Sequence, residues 1–333
     1  MKMRMTQLKT IADIQTGPFG SQLHKEDYVE TGTPIVTVEH LGNRVFTEQN
    51  LPRVSDSDKA RLIKYTLSTG DIVFSRVGSV DRCSYVDKSH DGWMFSGRCL
   101  RVRPTELVDS LYLYYYFCLE ETKQFVRNIA VGATMPSINT KLLGEVEIAL
   151  PDLNNQKRIA AVLSSLDDKI ENNQKLNDNL ADLLQTIYQG RFGNDILAVN
   201  QGVLSDICSY STDKVAVSEL NVRTYFSTEN MLSGKAGSTE ATSLPTTSQT
   251  TACHKGDTLI SNIRPYFKKI VYCEDKCGCS TDVLCFTPSQ PCYSAYLFST
   301  LYADKFFAFM VAGSKGTKMP RGDKQQILSL IHI

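Results

Sequence analysis

The sequence predicts a mixed α/β (α+β) chain in which two similar domains are joined by one long helix. The chain has 333 residues, about twice the usual length of a single domain. Its two halves carry the same landmarks in the same order, about 184 to 196 residues apart, which indicates a duplicated domain rather than a short repeat. Between the halves lies a segment without internal proline or glycine, bounded by Leu150 and Pro151 before it and by Gly190 and Gly193 after it.

The landmarks of each half are a turn glycine leading into an apolar strand, an extended segment, and a glycine-containing loop that follows an aromatic helix. The paired ranges are 70–76 with 256–262, 82–86 with 268–272, the helices 110–126 with 294–310, and the loops 131–136 with 313–320. Short apolar runs bounded by turn residues predict strands. These strands cover residues 34–38, 71–75, 144–149, 258–261 and 283–287.

The segment between the halves predicts a helix of about 36 residues, or roughly 54 Å at about 1.5 Å per residue. Apolar or asparagine side chains recur at steps of three and four, which is typical of a coiled-coil seam. The seam consists of Leu163, Leu166, Ile170, Asn173, Asn177, Leu180, Leu184 and Ile187. We therefore expect a first domain at residues 1–150, a helical spacer at 151–192 and a second domain at 193–327.

Composition restricts the class of protein. With 42% hydrophobic and 22% charged residues the chain is typical of an ordinary soluble globular protein. Thirty-six basic residues balance thirty-six acidic ones, which argues against a free-standing electrostatic DNA binder but not against local basic patches. The N-terminus has no apolar stretch of a signal peptide and no segment is long enough to span a membrane. We expect a cytoplasmic protein with reduced cysteines and no membrane partner.

Catalytic motifs are missing. The sequence has no phosphate-binding glycine loop, no dinucleotide fingerprint and no zinc-protease motif. Asp152, Asp167 and Lys169 fit the loose carboxylate and lysine pattern of Mg²⁺-dependent nucleases, so a stand-alone nuclease remains an alternative. A cluster of cysteines suggests zinc, but its spacing lacks paired knuckles, and we expect no metal site. The cluster consists of Cys273, Cys277, Cys279, Cys285 and Cys292.

Polar and basic residues remain at the turns that recur in both halves. Arg, Lys, Asn, Ser and Thr on loops are the side chains that contact base edges and phosphates. They predict DNA contacts at Ser75, Arg76, Arg82, Thr134, Asn139, Asn262, Arg264, Lys268, Lys269, Lys315, Lys318 and Arg321.

The ordered set of motifs resembles the specificity subunit of type I restriction-modification systems over nearly the whole chain. The matching pieces are residues 17–21 (GPFGS) with Tyr28 and Gly32, 70–76, 132–139 (GATMPSIN), 148–166 and 313–324. The resemblance implies two target-recognition domains that each read half of a split DNA site, with the helix setting the spacer between the halves. It also implies no catalysis in this chain. S-adenosylmethionine, ATP and Mg²⁺ would belong to the modification and restriction subunits that it docks.

One departure concerns the C-terminal end, where the family normally has a second long helix antiparallel to the first. The last six residues, 328–333 (LSLIHI), translate the codons of a transposon mosaic-end adapter used in sequencing libraries. We therefore expect native sequence to end near Ile327. If the truncation is real instead, we expect the seam to form a homodimer. A gene fragment, or an adaptor that binds only protein, is a further alternative.

Overall fold

The computed structural model describes residues 3–20, 22–42, 44–192 and 202–332. Ser21 of the GPFGS motif and residues 193–201, which include the expected start of the second domain, lie outside these ranges. The chain divides into two compact units, Met1–Asn173 and Gln174–Ile333. The division falls within the long helix, and the expected domain boundaries stay predictions.

The helices and strands are labelled in chain order. Those before the long helix are β1 (Arg4–Gln7), β2 (Ala12–Thr16), β3 (Tyr28–Val29), β4 (Thr33–Val36), β5 (Arg53–Val54), α1 (Asp56–Arg61), β6 (Ile72–Ser75), β7 (Cys83–Tyr85), β8 (Met94–Phe95), β9 (Cys99–Pro104), α2 (Ser110–Cys118), α3 (Glu120–Ile129), α4 (Thr140–Gly144) and β10 (Glu147–Leu150). The long helix is α5 (Leu153–Phe192). Those after it are β11 (Gly202–Val203), β12 (Cys208–Tyr210), β13 (Lys214–Ala216), β14 (Tyr225–Phe226), β15 (Gln249–Cys253), β16 (Thr258–Ser261), β17 (Ile270–Tyr272), β18 (Cys277–Cys279), β19 (Val283–Pro288), α6 (Ser294–Tyr302), α7 (Asp304–Ala312), α8 (Lys324–Leu328) and β20 (Ile331–His332).

The two units match in one four-stranded sheet and differ in the other, where β4 lies inside the sheet but its counterpart β14 lies at the edge. In the first, one sheet has the order β2-β9-β6-β7 and the other β3-β5-β4-β8; in the second the orders are β12-β19-β16-β17 and β13-β15-β18-β14. One pair in each second sheet is parallel, β4 with β8 and β14 with β18. The short antiparallel pairs β1–β10 and β11–β20 complete the correspondence. The predicted class of a duplicated α/β (α+β) chain with a long helix is confirmed.

Strand β6 lies between two cores of the first unit, and all four of its residues are buried. Ile72 and Phe74 pack toward the helices, where Phe74 meets Phe117 edge-on at 4.7 Å. Val73 points to the opposite core, between the two sheets. Because successive strand side chains alternate between faces, a strand buried on both faces reads as a continuous apolar run. This explains why the sequence identifies the strand without polar alternation.

Each predicted aromatic helix is in fact two helices. The break falls at Leu119 in the first unit and at Ala303 in the second, both with extended backbone (ψ 134° and 143°). An acidic residue follows each break, Glu120 or Asp304, and a carboxylate in the first turn stabilises a new helix N-terminus. The predictions of single helices at 110–126 and 294–310 were wrong in this respect.

The predicted strand at 144–149 also begins later than expected, at Glu147. Gly144 instead ends the short helix α4, which starts because the Asn139 side chain accepts a hydrogen bond from Leu142 N at 2.9 Å. Asparagine is a strong helix N-cap. The sequence therefore contained a helix signal that the apolar run obscured.

Helix α5 is continuous over 40 residues, or about 60 Å, which confirms the prediction of one long helix. Its first turn begins at Asp152, whose carboxylate accepts from the backbone and side-chain nitrogens of Asn155 at 2.9 and 2.6 Å. Gln156 and Ala160 are buried against the first unit. Among the described residues, no helix combines the length and apolar character that crossing a membrane would need.

Candidate nucleic-acid interface

In the first unit, the loop that follows β6 meets the loop that precedes α4. These loops are residues 75–78 and 131–139, and we call them the first edge. Gly78 N donates to Pro136 O at 2.8 Å, and a positive φ of 76° at Gly78 lets the chain turn there. Backbone hydrogen bonds therefore fix the relative position of two loops that are about 55 residues apart in sequence.

The second unit repeats this arrangement with residues 261–264 and 315–323, which we call the second edge. Arg264 N donates to Pro320 O at 2.8 Å, as Gly78 N does to Pro136 O. Arg264 has φ of 50°, a conformation that costs a non-glycine residue about 1 kcal/mol. The two edges therefore share one backbone design although their side chains differ.

The backbone hydrogen bonds that close each glycine-containing loop are also repeated in the two units. In the first edge Val131 and Ser137 exchange two backbone hydrogen bonds of 2.9 and 2.8 Å. In the second edge Lys315 and Arg321 do the same at 2.9 and 3.0 Å. The loop at 315–321 therefore presents lysine and arginine at positions where the first edge has valine and serine.

Two predicted contacts of the first edge are held by neighbouring backbone. The Ser75 hydroxyl is buried and donates to Val77 O at 2.8 Å. The Arg76 guanidinium donates to Gly97 O at 3.2 Å and lies 5.7 Å from the centre of the exposed Phe19 ring. Ser75 therefore shapes the turn, whereas Arg76 places a positive charge at the edge.

The other predicted residues of the first unit divide similarly. Thr134 is exposed at the tip of its loop. Asn139 is exposed and caps α4 through its side-chain oxygen. The Arg82 side chain turns away from this edge and donates to the carbonyl oxygen of Leu41, so it lies against a different loop.

In the second unit, Asn262 is 8% exposed and, among the described residues, its side-chain oxygen has no hydrogen-bond partner. Arg321 is exposed and pairs with Asp282 at 2.9 Å. Lys318 is exposed at the tip of the loop. These three side chains, with Arg264, give the second edge its polar and basic character.

Lys315 contacts the N-cap of α8. Its ammonium donates to the Asp323 carboxylate at 2.7 Å, and this ion pair lowers the pKa of Asp323, which also accepts from the backbone N–H groups of Gln326 and Gln325. The same contact raises the pKa of Lys315. Lys315 therefore carries its charge at the exposed end of the loop, paired with the Asp323 carboxylate.

Lys268 and Lys269 lie just beyond the second edge and bind protein groups. The Lys268 ammonium is 2.9 Å from the Asp304 carboxylate at the start of α7. The Lys269 ammonium donates to Thr228 O at 2.6 Å. The backbone of Lys269 continues the sheet, since it accepts from Ser261 N, and both ammonium groups are held by protein oxygen atoms.

Two residues that were not predicted from the sequence also lie at the edges. Arg98 is exposed, and its carbonyl accepts from Arg76 N at 2.8 Å. Asp282 occupies the corresponding place in the second unit, where its carbonyl accepts from Asn262 N at 2.8 Å. A signal was available, because each residue directly precedes the start of an apolar strand. The strand pairing that brings it to the edge was not readable from sequence.

A polar cleft of about 320 Å³ opens beside the second edge. Its lining includes Asp282, Ser280, Ser227, Thr228 and Asn230. Such hydroxyl and amide groups are donors and acceptors that can match base edges.

The two alternative sites do not form in the described residues. Asp152 and Asp167 lie about 22 Å apart along one helix, and the Asp167 carboxylate accepts from the Tyr115 hydroxyl at 2.8 Å. They cannot share a metal ion. In the part of the chain that the structure describes, no three His, Cys, Asp or Glu side chains form a group suited to a metal. Cys292 is exposed, apart from the buried Cys273, Cys277, Cys279 and Cys285.

The predicted seam of α5 is largely exposed. Leu166, Ile170, Leu180 and Ile187 are each 53 to 55% exposed, and Asn173 and Asn177 are exposed between them. The two remaining positions, Leu163 at the start of the seam and Leu184 between Leu180 and Ile187, are half-buried. The apolar face of α5 is therefore largely uncovered from Leu166 to Ile187, over about six turns.

The fold is similar to that of the type I restriction-modification S subunit from M. genitalium. The TM-score is 0.64 at 17% identity, with 99% of this chain and 84% of that chain covered. The architecture is therefore that of an S subunit: two similar units and a long helix.

The family follows from sequence. The family model of the type I restriction modification DNA specificity domain matches residues 2–181, more than half of the chain. The chain belongs to this family, which confirms the resemblance inferred from its motifs.

Curated relatives of the chain are also specificity subunits of type I restriction enzymes. The MjaIX specificity subunit of Methanocaldococcus jannaschii is 37% identical over 89 residues, covering 27% of this chain and 21% of the relative. The MjaVIII specificity subunit of the same organism is 27% identical over 180 residues, covering 51% of this chain and 41% of the relative. The HindI specificity subunit of Haemophilus influenzae is 26% identical over 158 residues, covering 46% of this chain and 34% of the relative. The chain thus matches less than half the length of each of these relatives.

Proposed function

We propose that this chain selects the DNA sequence on which a type I restriction-modification complex acts. The observation that supports this most directly is the repeated edge: one backbone arrangement presents Arg76, Thr134 and Asn139 in the first unit and Arg264, Lys318 and Arg321 in the second. Equivalent frames with different side chains are what reading two different base sequences requires, because base edges are distinguished by donor and acceptor pattern.

Each unit would read one half of a bipartite site. Phosphate contacts orient a protein on DNA, and base contacts specify the sequence. We assign phosphate contacts to the exposed charges of Lys315 and Lys318. We assign base contacts to side chains held by neighbouring groups, among them Arg76, Asn262 and Arg321. Ser75 and Arg82 would act by shaping the loops, and Lys268 and Lys269 by holding the adjacent turn.

Catalysis would come from partner subunits. The proposal places S-adenosylmethionine and adenine methylation in modification subunits, and ATP and Mg²⁺ in restriction subunits. This chain would contribute the docking surface, and the uncovered apolar face of α5 supports that role. A face with alternate leucine, isoleucine and asparagine suits a helix–helix contact whose register the asparagines fix.

The same face offers a contact for a second copy of the chain. Analytical ultracentrifugation of the purified chain tests this: we expect a dimer that Leu180→Asp converts to a monomer. A wild-type chain that is monomeric at tens of micromolar would contradict self-association without affecting DNA recognition.

The decisive experiment combines expression with mapping of methylated bases. The chain is co-expressed with the modification subunit from its own genome, and N6-methyladenine is mapped in the host DNA by single-molecule sequencing. We expect a split motif that is absent without this chain. The purified complex should then retain an oligonucleotide carrying this motif more strongly than a scrambled one, with an affinity that falls as salt rises.

Two results would reject the proposal. The first is a purified chain that cleaves DNA with Mg²⁺ and loses this activity in Asp167→Ala, which would favour the nuclease. The second is co-purification with the modification subunit without any methylation motif, which would favour an adaptor that binds only protein.

A further inference from the structure

The core between the two sheets of the second unit is unusually rich in cysteine. Five of its eight buried residues are thiols: Cys253, Cys273, Cys277, Cys279 and Cys285. Isolated buried cysteines act as small apolar side chains.

The first unit has no cysteine at the matching positions. Phe226 pairs with Cys279 as Val36 pairs with Phe95, so Cys279 corresponds to Phe95. Gly256 N donates to Cys273 O as Gly70 N donates to Val86 O, so Cys273 corresponds to Val86. By the same alignment of strands, the remaining three correspond to Leu67, Trp93 and Arg101. The fold itself therefore does not demand thiols at these places.

Three of the five thiols face protein oxygen atoms. The Cys285 thiol donates to the Asp257 carboxylate at 3.2 Å. The Cys279 thiol faces Val283 O and the Cys253 thiol faces Thr251 O, both at 3.8 Å. Cys273 and Cys277 instead face each other, with their sulfur atoms 3.5 Å apart.

The positions of Cys273 and Cys277 favour closure of a bond between them. They flank a turn of three exposed residues, 274–276, and both are buried directly beneath it, with 2% and 4% of their surface exposed. Bringing the sulfur atoms from 3.5 Å to the ~2.05 Å of a disulfide requires about 1.5 Å of movement, which a short exposed turn can supply.

Cys277 also has the electrostatic character of a reactive thiol. Hydrogen bonding with the Cys253 thiol, and then with the Cys273 thiol, lowers the pKa of Cys277 to about 4, and the charge of His254 adds to this effect. The thiolate is the nucleophilic form of cysteine. The direction of this shift favours Cys277 over Cys273 as the sulfur that attacks an oxidant.

We propose that Cys273 and Cys277 form a peroxide-reactive thiol pair that closes reversibly to a disulfide. The Cys277 thiolate attacks one oxygen of hydrogen peroxide, the O–O bond breaks, and the products are the Cys277 sulfenic acid and, after protonation, water. The Cys273 sulfur then attacks the sulfenic sulfur, the S–S bond forms, and the hydroxyl leaves as water with the Cys273 proton. Two thiols lose two electrons in total, and one peroxide gains them.

The disulfide would join the two sheets of the second unit covalently. Cys273 directly follows β17, which belongs to the sheet β12-β19-β16-β17, and Cys277 begins β18 of the other sheet. This chemistry does not depend on the proposed function, because it needs only the folded second unit.

Tryptic mapping of the full-length chain tests the proposal. Lys276 lies between the two cysteines, so trypsin separates them unless a disulfide holds the peptides together. The chain is treated at pH 7 with hydrogen peroxide in small molar excess, alkylated and digested. We expect one linked peptide pair, Cys273 to Cys277, two mass units lighter than the reduced peptides and separated by dithiothreitol.

Variants identify the order of the steps. In Cys273→Ser, Cys277 should accumulate as a sulfenic acid that dimedone captures. In Cys277→Ser, Cys273 should stay reduced. Cys279→Ser is the matched control, since it removes a buried thiol of the same strand and should leave the 273–277 link unchanged. Cys118, whose pKa hydrogen bonding with Cys83 lowers to about 7, is followed in the same digest as a reference for general thiol oxidation.

Three outcomes would overturn the proposal. One is a Cys277 that stays reduced while Cys118 is oxidised. Another is a link from Cys277 to Cys253 in place of Cys273. The third is protection of all five thiols that a zinc chelator removes, which would identify the cluster as a metal site instead. The wild-type chain, digested with and without the chelator, decides among these, so the test survives if a serine variant fails to fold.

Discussion

At the scale of single residues, the two edges differ mainly in charge. The loop at 131–137 of the first edge has no charged side chain, whereas the loop at 315–321 of the second has Lys315, Lys318 and Arg321. Charges near the DNA backbone release counterions on binding. The second unit should therefore contribute more of the salt-dependent affinity, and the first unit should depend more on Arg76 and on neutral donors and acceptors.

Lys318→Gln tests this assignment. In complex with the modification subunit, loss of one phosphate contact should lower the slope of log affinity against log salt by about 0.9 and weaken binding to all sequences alike. Fluorescence anisotropy across a salt series measures it. Lys255→Gln is the matched control, because Lys255 is exposed just before β16, at the end of the strand opposite the edge. A slope unaffected by Lys318→Gln would remove this residue from the interface.

Asp304 gives a prediction for acid stability. Hydrogen bonds from Lys235 and Lys268 lower the pKa of its carboxyl below the ordinary value of 3.8. The folded state therefore prefers the ionised form, and the contribution to stability is present above about pH 4 and is lost as pH falls through the lowered pKa. Because Asp304 is 70% exposed, the contribution should be at most about 1 kcal/mol.

Urea unfolding of wild type and Asp304→Asn between pH 5 and pH 2.5 measures this contribution. The difference in unfolding midpoint should be largest at pH 5 and should vanish at the acid end of the series. Glu274→Gln, an exposed carboxyl in a turn of the same unit, should follow the wild type throughout. A difference that grows toward low pH would contradict the assignment.

At the scale of elements, two glycine loops approach each other closely in the first unit. A Cβ added to Gly17 would lie 2.1 Å from Ser96 O, and one added to Gly97 would lie 2.3 Å from Pro18 O. Only glycine allows these backbones to meet. This contact holds the GPFGS motif, with its exposed Phe19, against the segment that carries Arg98. It gives a physical reason for a motif that the sequence identified only by resemblance.

Gly17→Ala should separate these loops, lower the unfolding free energy by about 1 to 3 kcal/mol, and weaken DNA recognition in the first half of the site. Gly20→Ala is the matched control from the same motif, because a Cβ at Gly20 meets nothing within 4 Å. This substitution should change the unfolding free energy by less than about 0.5 kcal/mol. Equal effects of the two substitutions, measured by urea unfolding, would refute the role of the close approach.

At the scale of the whole molecule, the long helix is expected to set the spacer between the half-sites. Deleting four residues within 172–179, where the helix side chains are exposed, shortens it by about 6 Å and turns one end relative to the other by about 40° beyond a full turn. We expect the methylation motif to keep both half-sites and to change its spacer by about two base pairs. Mapping N6-methyladenine in cells that express the variant reads the spacer directly, and an unchanged spacer would exclude the ruler role.

A domain exchange tests modularity at the same scale. Replacing residues 1–145 with the corresponding domain of another specificity subunit should change one half-site and leave the other and the spacer intact. The reason is that the contacts defining each edge lie within one unit. A new sequence in both halves, read by the same mapping, would contradict independent reading.

The duplication, the mixed fold class, the long helix and the family could all be predicted from the sequence, because each depends on order, periodicity or local motif. Strand β6 could be identified because its four consecutive buried residues form an apolar run, and such a run is recognisable from neighbouring residues alone. The splits at Leu119 and Ala303 were not, because an aromatic run is compatible with one helix or two until packing decides.

Which candidate residues meet depends on the tertiary fold. The edges depend on backbone bonds such as Gly78 to Pro136 and Arg264 to Pro320, which join positions about 55 residues apart. In the folded chain the Arg82 side chain contacts the loop at Leu41, and Cys253, on a separate strand, lies in the same core as Cys273 and Cys277. Periodicity carries information over a few turns of chain, whereas these contacts arise from strand pairing across the fold. Local sequence patterns therefore identify the class of the protein, whereas its recognition surface is assembled from segments that are distant in sequence.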